Sequence, residues 1–393
     1  MIEAKWDNRY FEVFMRNFFS VMLLCITFSV SAQVDATDPP PTRNLPAFWK
    51  ATLTDIDAEV KATQNAQATV IATSPGGLPI YLVAYGEKDD FKSQANYNSA
   101  IGGTNPAFYA QKDPSTRPVL FFLGPVHGQE VEGMVGLVNL IHILETGQDY
   151  RGKKWGALRE NLSQCRVLII PCGNPDGRQR CPYDSWVGLP TITMTKYGQG
   201  TRKDGSLYRW TGAKAVHPMR GDVGLLGAYF NDDGINPMHD DFFAPMAEET
   251  RAILNVARSE APDMTVSLHS HENHSVVLQA SFVPWFIKKR IADFSAILKR
   301  RFEASNLPYG AVAEPTIEDQ DFPPKKYFNL VSALHHISGT MAFTFECSHG
   351  SVSERNVNPG LTHEHILDIQ LTLYQEMASY ILENRLFWTL NNE

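Results

Sequence analysis

The stretch from residue 119 to residue 144 reads VLFFLGPVHGQEVEGMVGLVNLIHIL and decides the fold. Its first five residues form a continuous apolar run, which is typical of a strand that is buried on both faces. The segment from Val131 to Leu144 predicts a helix, and the turn between the two segments contains His127 and Glu130. A strand that passes through a short turn into a helix indicates one unit of a parallel α/β sheet.

The same alternation continues along the chain. Further strands are predicted on both sides of the Pro75–Gly77 turn and at RVLIIP (166–171), DMTVSLHS (263–270) and AFTFE (342–346). Helices are predicted over residues 48–63, 246–259, 284–304 and 362–386. Strands that alternate with helices favour an α/β fold, with a mixed, mostly parallel twisted sheet and helices on both faces.

Two long stretches show little periodicity. Residues 89–117 are polar and are predicted to form an irregular surface insertion. Residues 178–241 are rich in Gly, Asp, Tyr and Trp, and irregular stretches of that length inside a globular chain are usually functional.

The composition bounds the class of protein. The 393 residues are 43% hydrophobic with a formal net charge of -8, which is unlike a disordered chain. There is no basic excess to neutralise phosphates, so we expect no nucleic-acid partner. The length is compatible with about two to three domains or with one large α/β domain.

The N-terminal 32 residues have the layout of a secretory signal peptide. Residues 18–30 are uncharged, Arg16 precedes them, and small residues at 30–32 predict cleavage after Ala32. The alternative is a membrane anchor, but a spanning helix needs about 20 apolar residues. We therefore expect a secreted or periplasmic protein without stable membrane insertion after cleavage.

Export affects how the cysteines are interpreted. Four cysteines follow the predicted cleavage site, and Cys172 and Cys181 flank a turn-rich segment. A disulfide between them and free buried thiols are both compatible with the sequence.

Polar side chains follow the predicted strands, where an open α/β sheet binds its ligands. His127 and Glu130 form an HxxE pair after the first central strand, with Glu132 as a competing carboxylate. His269 or His271, after a later strand, would add a second imidazole. Two imidazoles and one carboxylate leave a coordination position open for water, as in catalytic zinc sites.

A further carboxylate, Glu346, ends the strand AFTFE. At the edge of a dry core its pKa would be raised, and it would suit the role of general base towards a water molecule. The alternative is an ion-paired glutamate at the end of a strand.

Together these segments resemble the zinc carboxypeptidase family, whose fold is carboxypeptidase A-like. The resemblance covers about 300 residues, roughly 74 to 386, and its motifs occur in the family's order: TSPGGLPIYLVAYG, VLFFLGPVHGQEVEG, IIPCGNPDG, FFAPMAEETRAI, DMTVSLHS and AFTFE. With the signal peptide predicted over 1–32 and a Pro-rich linker over 33–46, the resemblance leaves a zinc carboxypeptidase-like catalytic domain over 47–393.

The resemblance also implies roles for individual residues. His127, Glu130 and His269 would hold one Zn²⁺, with His269 preferred because it matches the LHS motif. Glu346 would be the general base and acid for hydrolysis of a peptide or a small amide substrate. His271 stays a candidate for a contact with a ligand or with the substrate.

The chain departs from the family in its cations. The family places the arginine for the oxyanion in the loop after NPDG, where Arg180 is favoured, Arg209 is second, and Arg178 and Arg220 are also present. Tyr327 lies roughly where the family keeps a mobile tyrosine.

A second departure concerns the family's Asn-Arg pair, which grips the carboxylate of the substrate. Asn231 matches the asparagine, but Asp232 occupies the arginine position and Asp233 follows it. An aspartate would repel a carboxylate and would suit an amine or guanidinium group of the substrate instead, unless Arg209 or Arg220 enters from elsewhere to bind the substrate. Alternatively, the two aspartates cap a turn at Gly234.

The leading hypothesis is an exported zinc-dependent metallopeptidase of carboxypeptidase type. Asp232 motivates a second hypothesis, a zinc amidase or deacylase for a cation-bearing substrate. A binding protein on the same fold, without catalysis, is the alternative from a different class.

Overall fold

One seven-stranded sheet runs through the part of the chain that the structure describes. The computed structural model describes residues 37–387 apart from residues 43, 93, 318–325 and 354–357. The predicted signal peptide, with its cleavage site after Ala32, lies outside the described residues. Along the chain the strands are β1 (Gln67–Thr73), β2 (Pro79–Tyr85), β3 (Val119–Leu123), β4 (Arg166–Ile170), β5 (Met264–His271), β6 (Val276–Gln279) and β7 (Met341–Ser348).

The sheet is mixed, and its spatial order is β1-β2-β4-β3-β5-β7-β6. The central strands β4, β3, β5 and β7 are parallel neighbours, whereas β1, β2 and β6 pair antiparallel at the two sides. Every residue of β3 and β4 is buried, so protein covers both faces of the sheet there. The predicted α/β fold class is confirmed.

Helices flank this sheet. In the described residues they are α1 (Leu53–Ala62), α2 (Tyr97–Gly102), α3 (Val131–Thr146), α4 (Gly156–Ser163), α5 (Pro175–Arg180), α6 (Thr191–Gln199), α7 (Trp210–Ala215), α8 (Glu248–Glu260), α9 (Trp285–Ala304), α10 (Leu330–Ser338) and α11 (His363–Glu383). None of the described helices combines the length and the apolar character that crossing a membrane requires.

The long stretches without periodicity contain short helices. The prediction of an irregular insertion over 89–117 was wrong for α2, which begins where the Asn96 side chain accepts the N–H of Ser99 and which buries Tyr97 and Ala100. The second long stretch, residues 178–241, likewise contains α6 and α7. Helices of six to nine residues are too short for a reliable periodic signal, because their position depends on tertiary packing.

The four cysteines of the described residues are buried and free: Cys165, Cys172, Cys181 and Cys347. Of the two possibilities that the sequence left open for Cys172 and Cys181, the structure has the free thiols. Burial raises the pKa of the Cys172 thiol to about 12, so this thiol is inert in the folded chain.

A backbone contact fixes the turn after β3 against α5. Asn174 begins α5, since its side chain accepts the N–H of Gly177 at 2.9 Å. Gly128 then packs so closely on this helix that a Cβ atom would lie 2.0 Å from the backbone nitrogen of Arg178. Position 128 therefore has no room for a side chain, and the His127–Glu130 turn depends on this glycine.

Replacing Gly128 with alanine should force the turn away from α5. We expect Gly128→Ala to lower the free energy of unfolding by about 1–3 kcal/mol, measured by urea denaturation. Gly156→Ala is the matched control, because a Cβ there meets nothing within 4 Å. Equal stability of the two variants would contradict the close contact.

Candidate metal centre

The Glu130 carboxylate lies between two histidine rings. Its Oε1 is 2.9 Å from His127 Nδ1, and its Oε2 is 2.8 Å from His269 Nδ1. All three side chains are buried, and atoms able to bind a metal lie within 4.8 Å of one another. The set of two imidazoles and one carboxylate is the donor set of catalytic zinc sites.

The far nitrogen of each imidazole is held by the protein. His127 Nε2 lies 3.2 Å from Asn236 Oδ1, an oxygen that also accepts the N–H of Met238. His269 Nε2 lies 3.1 Å from the hydroxyl of Ser267. A polar partner of this kind on the outer nitrogen is the usual arrangement for a metal-binding histidine.

These contacts test whether a metal ion fits. An amide oxygen only accepts, so His127 carries its proton on Nε2 and presents the lone pair of Nδ1 to the Glu130 carboxylate. Glu130 Oε2 is buried, and it lies 2.8 Å from Nδ1 of the second imidazole, His269. A lone pair facing a carboxylate is repulsive unless a cation lies nearby, and the cluster therefore fits a divalent metal.

Burial and mutual charge set the ionisation of the cluster. Burial alone would raise the pKa of Glu130, but the neighbouring imidazoles outweigh burial and hold this pKa below its usual value. Burial lowers the pKa of His127, whereas for His269 the Glu130 carboxylate outweighs burial and raises the pKa. Glu130 is therefore an anion and His127 is neutral, the forms that bind metal.

Glu132 and His271, the other metal ligands that the sequence left open, are not part of the cluster. Glu132 is fully buried, and burial raises its pKa to about 8, so this carboxyl is protonated at neutral pH. His271 Nε2 lies 2.9 Å from the backbone oxygen of His274. The structure brings Glu130 and His269 to the metal centre, as preferred on sequence grounds.

The loop that carries Tyr229 holds His127 in place. The Tyr229 ring stacks on the imidazole with centroids 3.8 Å apart and planes 9° from parallel. Within the turn, Gly128 N–H donates to the oxygen of Ala228 at 2.8 Å, and Trp186 Nε1 donates to the oxygen of Gln129 at 2.7 Å. These contacts restrict the ring of His127 to one orientation.

Glu346 joins the site through the register of two strands. His269 on β5 is paired with Glu346 on β7, so the two side chains point to the same side of the sheet. Desolvation by the surrounding protein raises the pKa of Glu346. A carboxyl whose pKa is raised by burial is a better proton acceptor than an exposed one, which suits the role of a general base.

A cavity of about 530 Å³ opens onto these groups. Its walls include His127, Glu130, His269 and Glu346, together with the aromatic rings of Trp210 and Tyr229. This volume is typical of a pocket for a small molecule or for the end of a peptide.

Arg180, predicted to stabilise the oxyanion, is engaged by the protein. Its guanidinium forms an ion pair with Asp232 and donates to the carbonyl oxygens of Gly227 and Phe230. Two predicted site residues are thus joined to each other. The sequence suggested that Asp232 would pair with a cationic group of the substrate. In the structure Asp232 pairs instead with the guanidinium group of Arg180.

Asn231 is likewise engaged within the protein. Its Oδ1 accepts the backbone N–H groups of Asp233 and Ile235, and its Nδ2 donates to Glu249 Oε2 at 3.1 Å. The side chain is fully buried. Asn231 therefore closes a turn, and its full burial leaves it no exposed surface for the predicted hydrogen bond to a substrate.

The remaining predicted residues lie around α7. Arg209 is exposed and directly precedes this helix. The Tyr327 hydroxyl accepts a hydrogen bond from Lys214 Nζ at 3.1 Å. Burial, and after it the Glu346 carboxylate, raises the pKa of Tyr327, which places this tyrosine within electrostatic range of Glu346.

Sequence reasoning missed several residues of the site. Ser267 could have been predicted from the sequence, because strand alternation puts residue 267 on the same side of the sheet as His269. Asn236, Tyr229, Trp210 and Lys214 lie in the irregular loop, where neither period nor spacing relates them to the strands.

Comparison with known proteins identifies the family. The family model of zinc carboxypeptidases matches residues 56–285, more than half of the sequence, and the chain belongs to this family. The matched range contains the three residues of the metal centre, whereas Glu346 follows it. A search of curated protein sequences found no match.

Solved structures share the fold at low identity. The chain is similar to a metallo-carboxypeptidase from Burkholderia cenocepacia, with 14% identity, a TM-score of 0.51 and coverage of 84% of this chain and 67% of that one. It is also similar to a metallo-carboxypeptidase from Pseudomonas aeruginosa, with 12% identity, a TM-score of 0.50 and coverage of 84% and 68%. At these identities the likeness concerns the fold.

Burial of Glu249 predicts a pH effect on stability. Burial raises the pKa of Glu249 to about 7, above its usual value of 4.5. The protonated form is therefore favoured in the folded state, and this contribution is present below pH 4.5 and lost as the pH rises through 7.

Glu249→Gln should remove that dependence, because glutamine mimics the protonated acid. The stability of the variant relative to the unsubstituted chain should rise by up to about 3 kcal/mol between pH 5 and pH 8, measured by urea denaturation. Glu248→Gln, an exposed position on the same turn, controls for loss of a carboxylate. Parallel pH profiles for Glu249→Gln and the unsubstituted chain would exclude this effect.

Proposed function

We propose that the protein is an exported zinc-dependent metallopeptidase of carboxypeptidase type, which hydrolyses the C-terminal peptide bond of its substrate by means of metal-activated water. The observation that carries the proposal is the position of Glu346. Strand register puts this carboxyl beside His269, and it faces the same cavity as the buried cluster. A general base has to lie within reach of the water from which it takes a proton.

The residues of the chain divide the chemistry between them. His127, Glu130 and His269 would hold the zinc ion, which supplies a Lewis acid for the scissile carbonyl and lowers the pKa of water. Glu346 accepts a proton from the attacking water and then gives it to the nitrogen of the leaving amine. The C–N bond breaks, and the products are a carboxylate and a free amine.

The chain's own contacts support this division. Tyr229, Asn236 and Ser267 fix the orientation of the two imidazoles, so the metal-binding nitrogens face Glu130 before a substrate arrives. Side chains that are held in place in advance lose little entropy at the moment of reaction.

Two contacts favour the peptidase over the competing hypotheses. The zinc amidase or deacylase rested on Asp232 as a site for a substrate cation, and Asp232 pairs with Arg180. The binding protein without catalysis would not need a base beside the cluster, and Glu346 is there.

Glu346→Gln tests the assigned base. Glutamine keeps the size of the side chain but cannot take up the proton, so we expect kcat for peptide hydrolysis to fall by about 10²–10⁴-fold. Zinc content, measured by atomic absorption, should stay at one ion per chain, because Glu346 is not among the proposed ligands.

His269→Ala and Glu364→Gln complete the design. The first removes a ligand and should lose zinc, whereas the second changes an exposed carboxylate and should keep both zinc and activity. Full hydrolysis by Glu346→Gln, or an intact His269→Ala chain that retains zinc, would overturn the assignment.

Export rests on the sequence of residues 1–32. We expect the mature chain to begin at Gln33 when the protein is produced with its full sequence in a secreting host. Mass spectrometry of the N-terminus checks this, and a chain that retains residues 18–30 in the exported fraction would refute cleavage after Ala32.

A further inference from the structure

The cavity needs a cation if the substrate has a free C-terminal carboxylate. Arg180, which the sequence favoured for the oxyanion, does not provide one, because it is paired with Asp232 and bonded to two carbonyl oxygens. Arg178 is bonded to the oxygens of Gly128, Cys181 and Tyr183 and paired with Asp184. Both guanidinium groups therefore serve the fold of the loop.

Lys214 lies in the last turn of α7 beside the cavity. Its ammonium group lies over the ring of Trp210, a residue of the cavity wall, and 4.3 Å from the centroid of Tyr327. Nζ donates to the Tyr327 hydroxyl at 3.1 Å and forms no ion pair with a described residue. Aromatic faces stabilise a cation without neutralising it, so its charge stays available for an anion.

The charged surroundings of Lys214 connect it to the catalytic side of the cavity. Burial lowers the pKa of Lys214 to about 8, and the Glu346 carboxylate opposes this shift. Burial, and after it the charge of Lys214, lowers the pKa of His239 to about 2, and the rings of His239 and Tyr327 are in edge contact. His239 is therefore neutral and does not compete with Lys214 for an anion.

We propose that Lys214, with the Tyr327 hydroxyl beside it, binds the free C-terminal carboxylate of a peptide substrate. This inference rests on the proposed function. The ammonium and the hydroxyl are two donors at neighbouring positions, and a carboxylate has two oxygens to accept from them. Lys214 thus supplies the positive charge that residue 232 lacks.

Binding measurements separate the carboxylate contact from the chemistry. N-acetylated tripeptides with different last residues are titrated, each as the free acid and as the C-terminal amide, into Glu346→Gln. We expect the free acid to bind about 10–100-fold more tightly than the amide, as a charge-assisted hydrogen bond does. In Glu346→Gln/Lys214→Met this preference should disappear, since methionine retains the length of the side chain but not its charge.

Turnover by the zinc-loaded chain gives a second readout. Lys214→Met should raise KM for the free-acid peptide by a similar factor and change kcat little, whereas Lys214→Arg should keep the preference. Lys203→Met, an exposed lysine of the same loop, is the matched control and should behave as the unsubstituted chain does. A loss in kcat at constant KM would overturn the proposal, because it would place Lys214 at the developing oxyanion.

The unsubstituted side chain provides a test that does not depend on folding of a variant. In Glu346→Gln the preference for the free acid should fade as the pH rises towards and through about 8, because Lys214 loses its proton and the substitution removes the carboxylate that raises its pKa. The titratable groups that face Lys214 are Glu346, which the substitution removes, His239, His269 and Tyr327. A preference that is constant up to pH 10 would contradict the role of Lys214.

The two proposals fail in different ways. If the zinc-loaded chain hydrolyses no peptide, the proposed function is wrong, but the titrations still report whether Lys214 holds a carboxylate. If hydrolysis occurs and Lys214→Met keeps its preference for free acids, the peptidase stands and this inference is wrong.

Discussion

The shared carboxylate of Glu130 is the constraint on which the rest of the site depends. A buried anion is costly unless opposite charge or hydrogen bonds compensate it, and the two imidazoles that would share a cation with Glu130 come from different parts of the chain. One imidazole comes from the turn after β3 and the other from β5, so the cluster forms only when these strands are paired. The outer contacts to Asn236 and Ser267 then set the direction of each ring. Folding and formation of the metal centre are in this sense the same event.

Strand register extends the constraint to the proposed chemistry. β3, β5 and β7 are neighbours, and each contributes at its carboxyl end a group that lines one cavity. The parallel pairing of β5 and β7 places Glu346 beside His269, so the backbone register alone sets the position of Glu346. A shift of one residue in this pairing would turn Glu346 to the opposite face of the sheet. The precision of the site is therefore a property of the sheet.

Much of this arrangement could be predicted from sequence, for an identifiable reason. Continuous apolar runs such as 119–123 reveal buried strands, and the ends of such strands carry His127, His269 and Glu346. The loop over 178–241 was different. Arg180 points to Asp232 rather than to the cavity because the two residues form an ion pair. They are 52 positions apart, and no local sequence pattern predicts such a contact. Lys214 and Trp210 reach the cavity from a six-residue helix whose position is set by tertiary packing alone.

The ion pair of Arg180 and Asp232 restricts which residues positions 180 and 232 can have at the same time. Arg180 is largely buried, and an arginine at 232 would bring two guanidinium groups together, whereas loss of Arg180 alone would leave Asp232 beside Asp176 without compensation. Each change by itself therefore leaves a charge without its partner. Residues 180 and 232 should therefore covary among relatives, and a lineage that acquired this pair could regain the arginine only through a double replacement.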